Sequence, residues 1–172
     1  LKRGELLLEQ IVEQYGEYLY HLSYLYMKDF QLAEEITQDV LMKYLLHKDD
    51  FRKDASLKTY LTRIAINCCH DELRKQKRKS FISKLLPLGR TEPSVEQTYI
   101  ATEDFATLKQ IVFALPLHYR EVIVLFYYEE FDVSEIASLL NVSQNTVRTR
   151  IRRARELLKT NPELEAIFYE GI

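Results

Sequence analysis

The sequence predicts an all-α protein of two small helical domains joined by a flexible linker, with a helix-turn-helix in the C-terminal domain. Three observations lead there. Gly and Pro number only four each in 172 residues, so little punctuation interrupts long helices. Apolar residues recur at helical spacing towards both ends of the chain. Between those stretches, Ser80–Asp104 holds Pro87, Gly89 and Pro93 with weak periodicity, which marks a linker. The expected divisions are a first domain over 1–79, a linker over 80–104 and a second domain over 105–172.

From Leu6 to Leu46 the apolar series Leu7, Ile11, Tyr15, Tyr18 and Leu22, then Ile36, Val40, Leu41 and Tyr44, predicts antiparallel helices. Phe51–Ser56 is a short polar break. A third helix follows, with Leu57, Leu61, Ile64 and Cys68 expected on its inner face, and it runs into the basic stretch Arg74–Lys79. In the second domain, helical spacing passes through Leu108, Ile111, Val112 and Leu115, breaks at Pro116, and resumes at Val122, Val124, Leu125 and Phe126. Asp132-Val-Ser-Glu135 has the form of a capping box, with Ile136, Leu139 and Leu140 as the buried face behind it and a small Ala137 where another helix can cross. Asn141 suits a left-handed turn, Val142 can plug the corner and Ser143 can cap a second helix. In that second helix Val147, Ile151, Ala154 and Leu158 face inward, and a helix-turn-helix follows.

A net charge of −2 conceals a segregated distribution. Residues 51–80 carry nine basic against three acidic side chains, and residues 141–160 carry six against one, whereas 1–50 carry five against ten. Two local anion-binding faces separated by acidic stretches result, since phosphate contacts respond to the local field. Cys68 and Cys69 are neighbours on one helix, a poor geometry for a disulfide, and point to a reducing compartment. With four scattered His residues they match no zinc spacing, so neither metal nor cofactor is implied. The longest apolar runs are far shorter than a membrane span, and the N-terminus lacks a signal-peptide core, so a soluble, cytoplasmic protein without membrane insertion is expected.

Placing Val147 inward and advancing about 100° per residue puts Asn145, Thr149 and Arg152 on the opposite side, with Arg148 and Arg153 flanking. Arg can bind guanine bidentately, Asn suits adenine, and a Thr methyl can meet a thymine methyl. Arg150, Arg155 and Lys159 lie towards the sides, where phosphate is the natural partner. An Arg-rich helix alone would more often be a solvated surface; the capped helix and corner before it favour DNA binding. In the first domain Tyr60, Arg63, Asn67 and Arg74 share one stripe, a set able to stack on and hydrogen-bond to unpaired bases.

Three stretches together resemble the extracytoplasmic-function (ECF) sigma factors of bacterial RNA polymerase. Gln31–His47 resembles the helix that docks on the clamp of the polymerase's largest subunit, Phe51–Arg78 the part that melts and reads the −10 element, and Leu115–Leu158 the −35 reader. The last is the most specific, with its LP…YREV, EIA, S-x-x-TV-x-x-R and RAR elements in order. The resemblance implies sigma region 2 over 1–79 and region 4 over 105–172. It also implies core polymerase binding by Glu35, Gln38 and Asp39, and capture of a flipped −10 base by the loop Phe51, Arg52, Lys53, Asp54, Ala55 and Ser56. Asn67 matches a −10 strand contact, Tyr60 stands where the family commonly has Trp, and Arg148, Thr149, Arg152 and Arg153 match −35 contact positions. The partners so implied are core RNA polymerase, at the clamp and at the flap of its second-largest subunit, promoter DNA and an anti-sigma factor. No small-molecule substrate is expected. An ordinary helix-turn-helix regulator would leave Gln31–His47 and the first basic helix unused, an adaptor would not need the outward Arg/Asn/Thr pattern, and an enzyme would need a reactive constellation that no motif supplies.

Overall fold

The computed structural model describes residues 2–47, 55–85 and 110–160. All regular structure among them is helical, in agreement with the fold class expected from sequence. The chain divides into two units, Leu1–Glu96 and Gln97–Ile172.

The first unit is built on three helices, α1 (Lys2–Met27), α2 (Phe30–His47) and α3 (Leu57–Leu85), each packed against the other two. Two residues turn α1 into α2. Lys28 adopts a left-handed φ of 59° and its amide closes on the Tyr24 carbonyl at 2.8 Å. Asp29 then starts α2 by accepting from the Leu32 amide at 2.9 Å, satisfying a donor that the first helical turn leaves open. Ile11, Leu19, Leu22 and Tyr26 of α1 meet Ile36, Val40 and Tyr44 of α2 in the buried core of the unit. Tyr15 and Tyr18 are only half-buried, because α1 turns its Leu19 and Leu22 side most fully inward.

The inner face of α3 differs from expectation. Leu61 and Cys68 are buried, whereas Leu57 and Ile64 are half-exposed and Thr62, Ala65, Ile66 and Cys69 complete the core. A helix seated against two neighbours buries a broader face than a single stripe. Small Ala65 and Thr62 permit the close approach, and the Thr62 hydroxyl bonds back to the Lys58 carbonyl at 2.7 Å. The helix also continues to Leu85, beyond Ser80 where the linker was expected to begin. The rest of that linker, and Phe51–Asp54, lie outside the described residues.

In the second unit residues 110–114 are helical and lead through Pro116 into α4 (Leu117–Ile123), which passes without a break into a π-helical turn, Val124–Tyr128. There the Glu129 amide reaches back five residues to the Val124 carbonyl at 3.1 Å, and the wider turn ends at Glu130 with φ 58°. α5 (Val133–Leu140) and α6 (Gln144–Lys159) form the helix-turn-helix. Asp132 accepts from the Glu135 amide at 2.8 Å while the Glu135 carboxylate accepts from the Asp132 amide at 2.9 Å, so the capping box is complete. Asn141 is left-handed, with φ 53° and ψ 48°, and the Val142 amide bonds the Ala137 carbonyl at 3.0 Å to close α5. Ser143 caps α6 through the Thr146 amide at 3.1 Å. The four positions expected to face inward on α6, Val147, Ile151, Ala154 and Leu158, are all buried; two of them share a core with Ile111, Leu115 and Ile123.

Candidate nucleic-acid and polymerase interfaces

Fixing the apolar stripe of α6 inward leaves its opposite side in solvent. Asn145, Arg148, Thr149, Arg152 and Arg153 are all exposed. Their local bonds differ in ways that bear on availability. Arg148 reaches back to the Gln144 carboxamide oxygen at 3.2 Å and the Asn145 oxygen at 3.4 Å, while Arg152 pairs with Glu156 one turn on at 2.6 Å. Exposed pairs of this kind contribute little and exchange readily for a ligand. Thr149 and Arg153 make no side-chain hydrogen bond among the described residues.

Two arginines read from the wheel as flanking phosphate partners are engaged within the protein. Arg150 lies 3.0 Å from Glu121, whose side chain is only 6% exposed. Arg155 donates to the Tyr127 hydroxyl and sits 5.4 Å from the centre of that ring. Glu121 is the residue that sequence reasoning missed, because its effect on α6 comes from another helix. Its neighbour Arg120 is also structural: buried, it donates at 3.4 Å to the Phe113 and Leu115 carbonyls, just before the break at Pro116. The π-helical turn leaves Tyr127 and Tyr128 nearly half exposed on this unit.

In the first unit the α3 stripe opposite the core carries Arg63, Asn67 and Arg74, all exposed. Arg74 is paired at 3.3 Å with Asp71, itself more than half exposed. Tyr60 belongs to the same stripe but is half-buried, its ring edge-on to Tyr44 at 6.3 Å. An edge-to-face contact of this kind orients the ring, which stays partly exposed. Of the loop before α3, Ala55 and Ser56 are exposed and described, and the Ser56 hydroxyl caps α3 by accepting from the Thr59 amide at 3.0 Å.

Glu35, Gln38 and Asp39 stand together on the exposed side of α2, opposite buried Ile36, Thr37 and Val40. One and two turns further along the same side, Met42 is 57% and Leu46 74% exposed. An apolar pair continuing a polar patch on one helix face is the composition of a protein-docking surface. The signal was legible as apolar residues at i+7 and i+11 from Glu35. Between α2 and α3 a cavity of about 210 Å³ is lined by charged side chains that include Asp39, Lys43, Asp71 and Lys75. The Lys43 ammonium donates to Cys68 Sγ across 3.3 Å at its base. Burial pushes the Cys68 thiol up, and pushes Cys69 up to about 12. Among the described residues no cluster of His, Cys, Asp and Glu could hold a metal ion, and no helix is long and apolar enough to cross a membrane.

A helical bundle with an exposed polar face on one helix and a cationic stripe on another, together with a unit whose helix-turn-helix holds a cationic helix outward, has the make-up of a nucleic-acid-binding protein. Residues 11–79 match the sigma-70 region 2 family and residues 107–158 the sigma-70 region 4 family. The chain is 33% identical over 159 residues to the ECF RNA polymerase sigma factor SigW of Bacillus subtilis, covering 87% of this chain and 85% of the relative. It is 27% identical over 152 residues to SigM of the same organism, covering 88% and 93%. Among solved structures it is similar to the sigma factor RpoE of Bartonella quintana, crystallised with the anti-sigma factor NepR. That likeness has a TM-score of 0.69 at 25% identity, over 89% of this chain and 97% of that one. CnrH, solved with the cytosolic domain of CnrY, shares the fold, with a TM-score of 0.62 at 21% identity over 98% and 91%. The chain belongs to the sigma-70 family of RNA polymerase sigma factors, in its ECF group. It is an alternative sigma factor, a subunit that binds core RNA polymerase and directs initiation at promoters.

Proposed function

We propose a division of labour between the two units. Over 1–79, region 2 docks on the clamp of the largest polymerase subunit and opens and reads the −10 element. Over 105–172, region 4 reads the −35 element and meets the flap of the second-largest subunit, and 80–104 links the two. The observation that carries this reading is the clean separation on α6, where four buried apolar residues hold Asn145, Arg148, Thr149, Arg152 and Arg153 outward as one surface. Arg148 and Arg153 have the reach for guanine, Asn145 for adenine and Thr149 for a thymine methyl. On α3, Arg63, Asn67 and Arg74 face the opened −10 strand with the Tyr60 ring, and the loop Phe51–Ser56 receives a flipped base. On α2, Glu35, Gln38 and Asp39 form the clamp contact, to which Met42 and Leu46 add apolar anchors.

The protein acts as a specificity subunit and not as an enzyme, in the cytoplasm, under the control of an anti-sigma factor. Support for that control comes from the matched RpoE, whose structure contains such a partner. Transcription with purified core polymerase on a promoter library tests the whole reading: promoter-specific transcripts are expected only when core and this protein are combined. Nanomolar, sequence-specific DNA binding by the free protein, without transcripts in the presence of core, would replace it with an ordinary helix-turn-helix regulator.

A further inference from the structure

Glu121 and Tyr127 hold two arginines of α6 in chemically different ways. Arg150 is paired with a carboxylate, which offsets its charge. Arg155 is held by a neutral phenol, so its full charge remains. The bond to the Tyr127 oxygen comes from Nε, the inner nitrogen of the guanidinium, and the cation lies 5.4 Å from the centre of the same ring. Two contacts to one side chain orient the guanidinium and leave the N–H groups of its terminal nitrogens for another partner. Arg155 is exposed and has no carboxylate partner among the described residues, since the neighbouring acid, Glu156, is paired with Arg152. The phenol accepts from Arg155 and makes no second hydrogen bond among the described residues, so its own proton is still there to donate.

The π-helical turn brings the ring to this place. It buries Val124 and Leu125 and leaves Tyr127 at 46% exposure, within reach of a cation 28 residues further along the chain. Wider turns of this kind are rare and frequently mark functional sites. Helical geometry then selects the ligand. At about 100° per residue, Arg155 stands about 85° round α6 from the centre of the set formed by Asn145, Arg148, Thr149, Arg152 and Arg153. A helix about 10–12 Å across fills a major groove about 12 Å wide, so a side chain on its flank meets the phosphates of the groove edge and not the bases.

We propose that Tyr127 and Arg155 form a binding site for one backbone phosphate at the edge of the −35 duplex. The Arg155 fork grips two phosphate oxygens, and the Tyr127 hydroxyl positions the fork and donates to the same phosphate. The contact reads no base; it sets the register in which the outward side chains of α6 meet theirs. A carboxylate of the polymerase would satisfy the same fork, but the place of Arg155 beside the base-reading set favours DNA. The proposal rests on the reading of α6 as the −35 helix.

The test uses holoenzyme reconstituted with core polymerase and promoter duplexes in which the −35 phosphates are replaced, one at a time, by neutral methylphosphonates. On unmodified DNA, Arg155→Ala should bind about fivefold to tenfold more weakly and Tyr127→Phe about twofold to fivefold, whatever the −35 sequence. Arg155→Ala should lower the salt slope by about one, whereas Tyr127→Phe, which keeps the cation, should not. Neutralising one phosphate should weaken the wild type, leave Arg155→Ala unaffected and weaken Tyr127→Phe less than the wild type. Variants that respond to every neutralised phosphate as the wild type does would overturn the proposal, and so would a changed preference at a single base pair. Weaker binding to core polymerase with an unchanged phosphate response would replace it with a polymerase carboxylate. Arg148→Ala is the control for the underlying reading: if it too leaves −35 binding untouched, the −35 assignment itself falls, independently of the phosphate site. Tyr127→Phe retains the ring and should keep the wild-type melting temperature; if Arg155→Ala lowers it, the phosphate response of Tyr127→Phe decides alone.

Discussion

Glu121 on α4 and Arg150 on α6 are joined by an ion pair of 3.0 Å, with the carboxylate buried and the guanidinium about three-quarters so. The pair ties the helix before the π-helical turn to the recognition helix and sets how α6 is presented. Removing one partner leaves the other charge poorly solvated. Glu121→Ala should destabilise the second unit by about 2–3 kcal/mol, less than for a fully buried pair because Arg150 reaches water. The double variant with Arg150→Ala should cost less than the two single variants added together, as read by urea unfolding in a double-mutant cycle.

The cap and corner of the helix-turn-helix give a second expectation. Asp132→Ala removes the acceptor of the Glu135 amide and should cost about 1 kcal/mol. Asn141 holds a left-handed conformation, so Asn141→Gly should change the melting temperature little, whereas Asn141→Val, β-branched at positive φ, should lower it clearly. Thermal melts of the three variants, compared under identical conditions, check the order.

On the outward face of α6, Arg148→Ala and Arg153→Ala should each cost about 1–3 kcal/mol on the preferred −35 sequence and relax the preference at one base pair. Arg155→Ala, taken from a residue held by Tyr127, should weaken binding uniformly if at all. Selection of randomised −35 DNA by the holoenzyme distinguishes a base contact from a phosphate contact.

Exposed Met42 and Leu46 should act as anchors for the polymerase. Met42→Ala and Leu46→Ala are each expected to lower affinity for core by about 1–2 kcal/mol while leaving the melting temperature unchanged, because neither side chain supports the bundle. Glu35→Lys with Asp39→Lys should have a larger effect by reversing the charge of the same face. Titration of labelled protein with core polymerase measures both.

The buried thiols predict a pH dependence. Cys69 is held up to about 12 from an ordinary value of 9.0, so between those limits the unfolded chain releases a proton that the folded chain retains. Stability should therefore fall as pH rises from about 9 towards 12, by at most about 1.4 kcal/mol per pH unit from this group, and Cys69→Ala should flatten the slope. At neutral pH both cysteines should react slowly with a thiol reagent until denaturant is added.

Local chemistry determined much of this protein from sequence alone. The helices, the Asp132–Glu135 capping box, the left-handed Asn141, the Ser143 cap and the four buried positions of α6 all depend on residues within a few positions of one another, which is why periodicity and capping rules reach them. The outward set on α6 follows once its apolar stripe is assigned. Only the tertiary structure decided how widely α3 is buried, since that depends on two neighbouring helices at once and moves Thr62, Ala65, Ile66 and Cys69 into the core at the expense of Leu57 and Ile64. It also decided that Arg150 turns inward to Glu121 and Arg155 to Tyr127, 29 and 28 residues away in the chain. A helical wheel assigns a side chain to a face, but the partner waiting on that face comes from another element, and only the packed fold brings the two together.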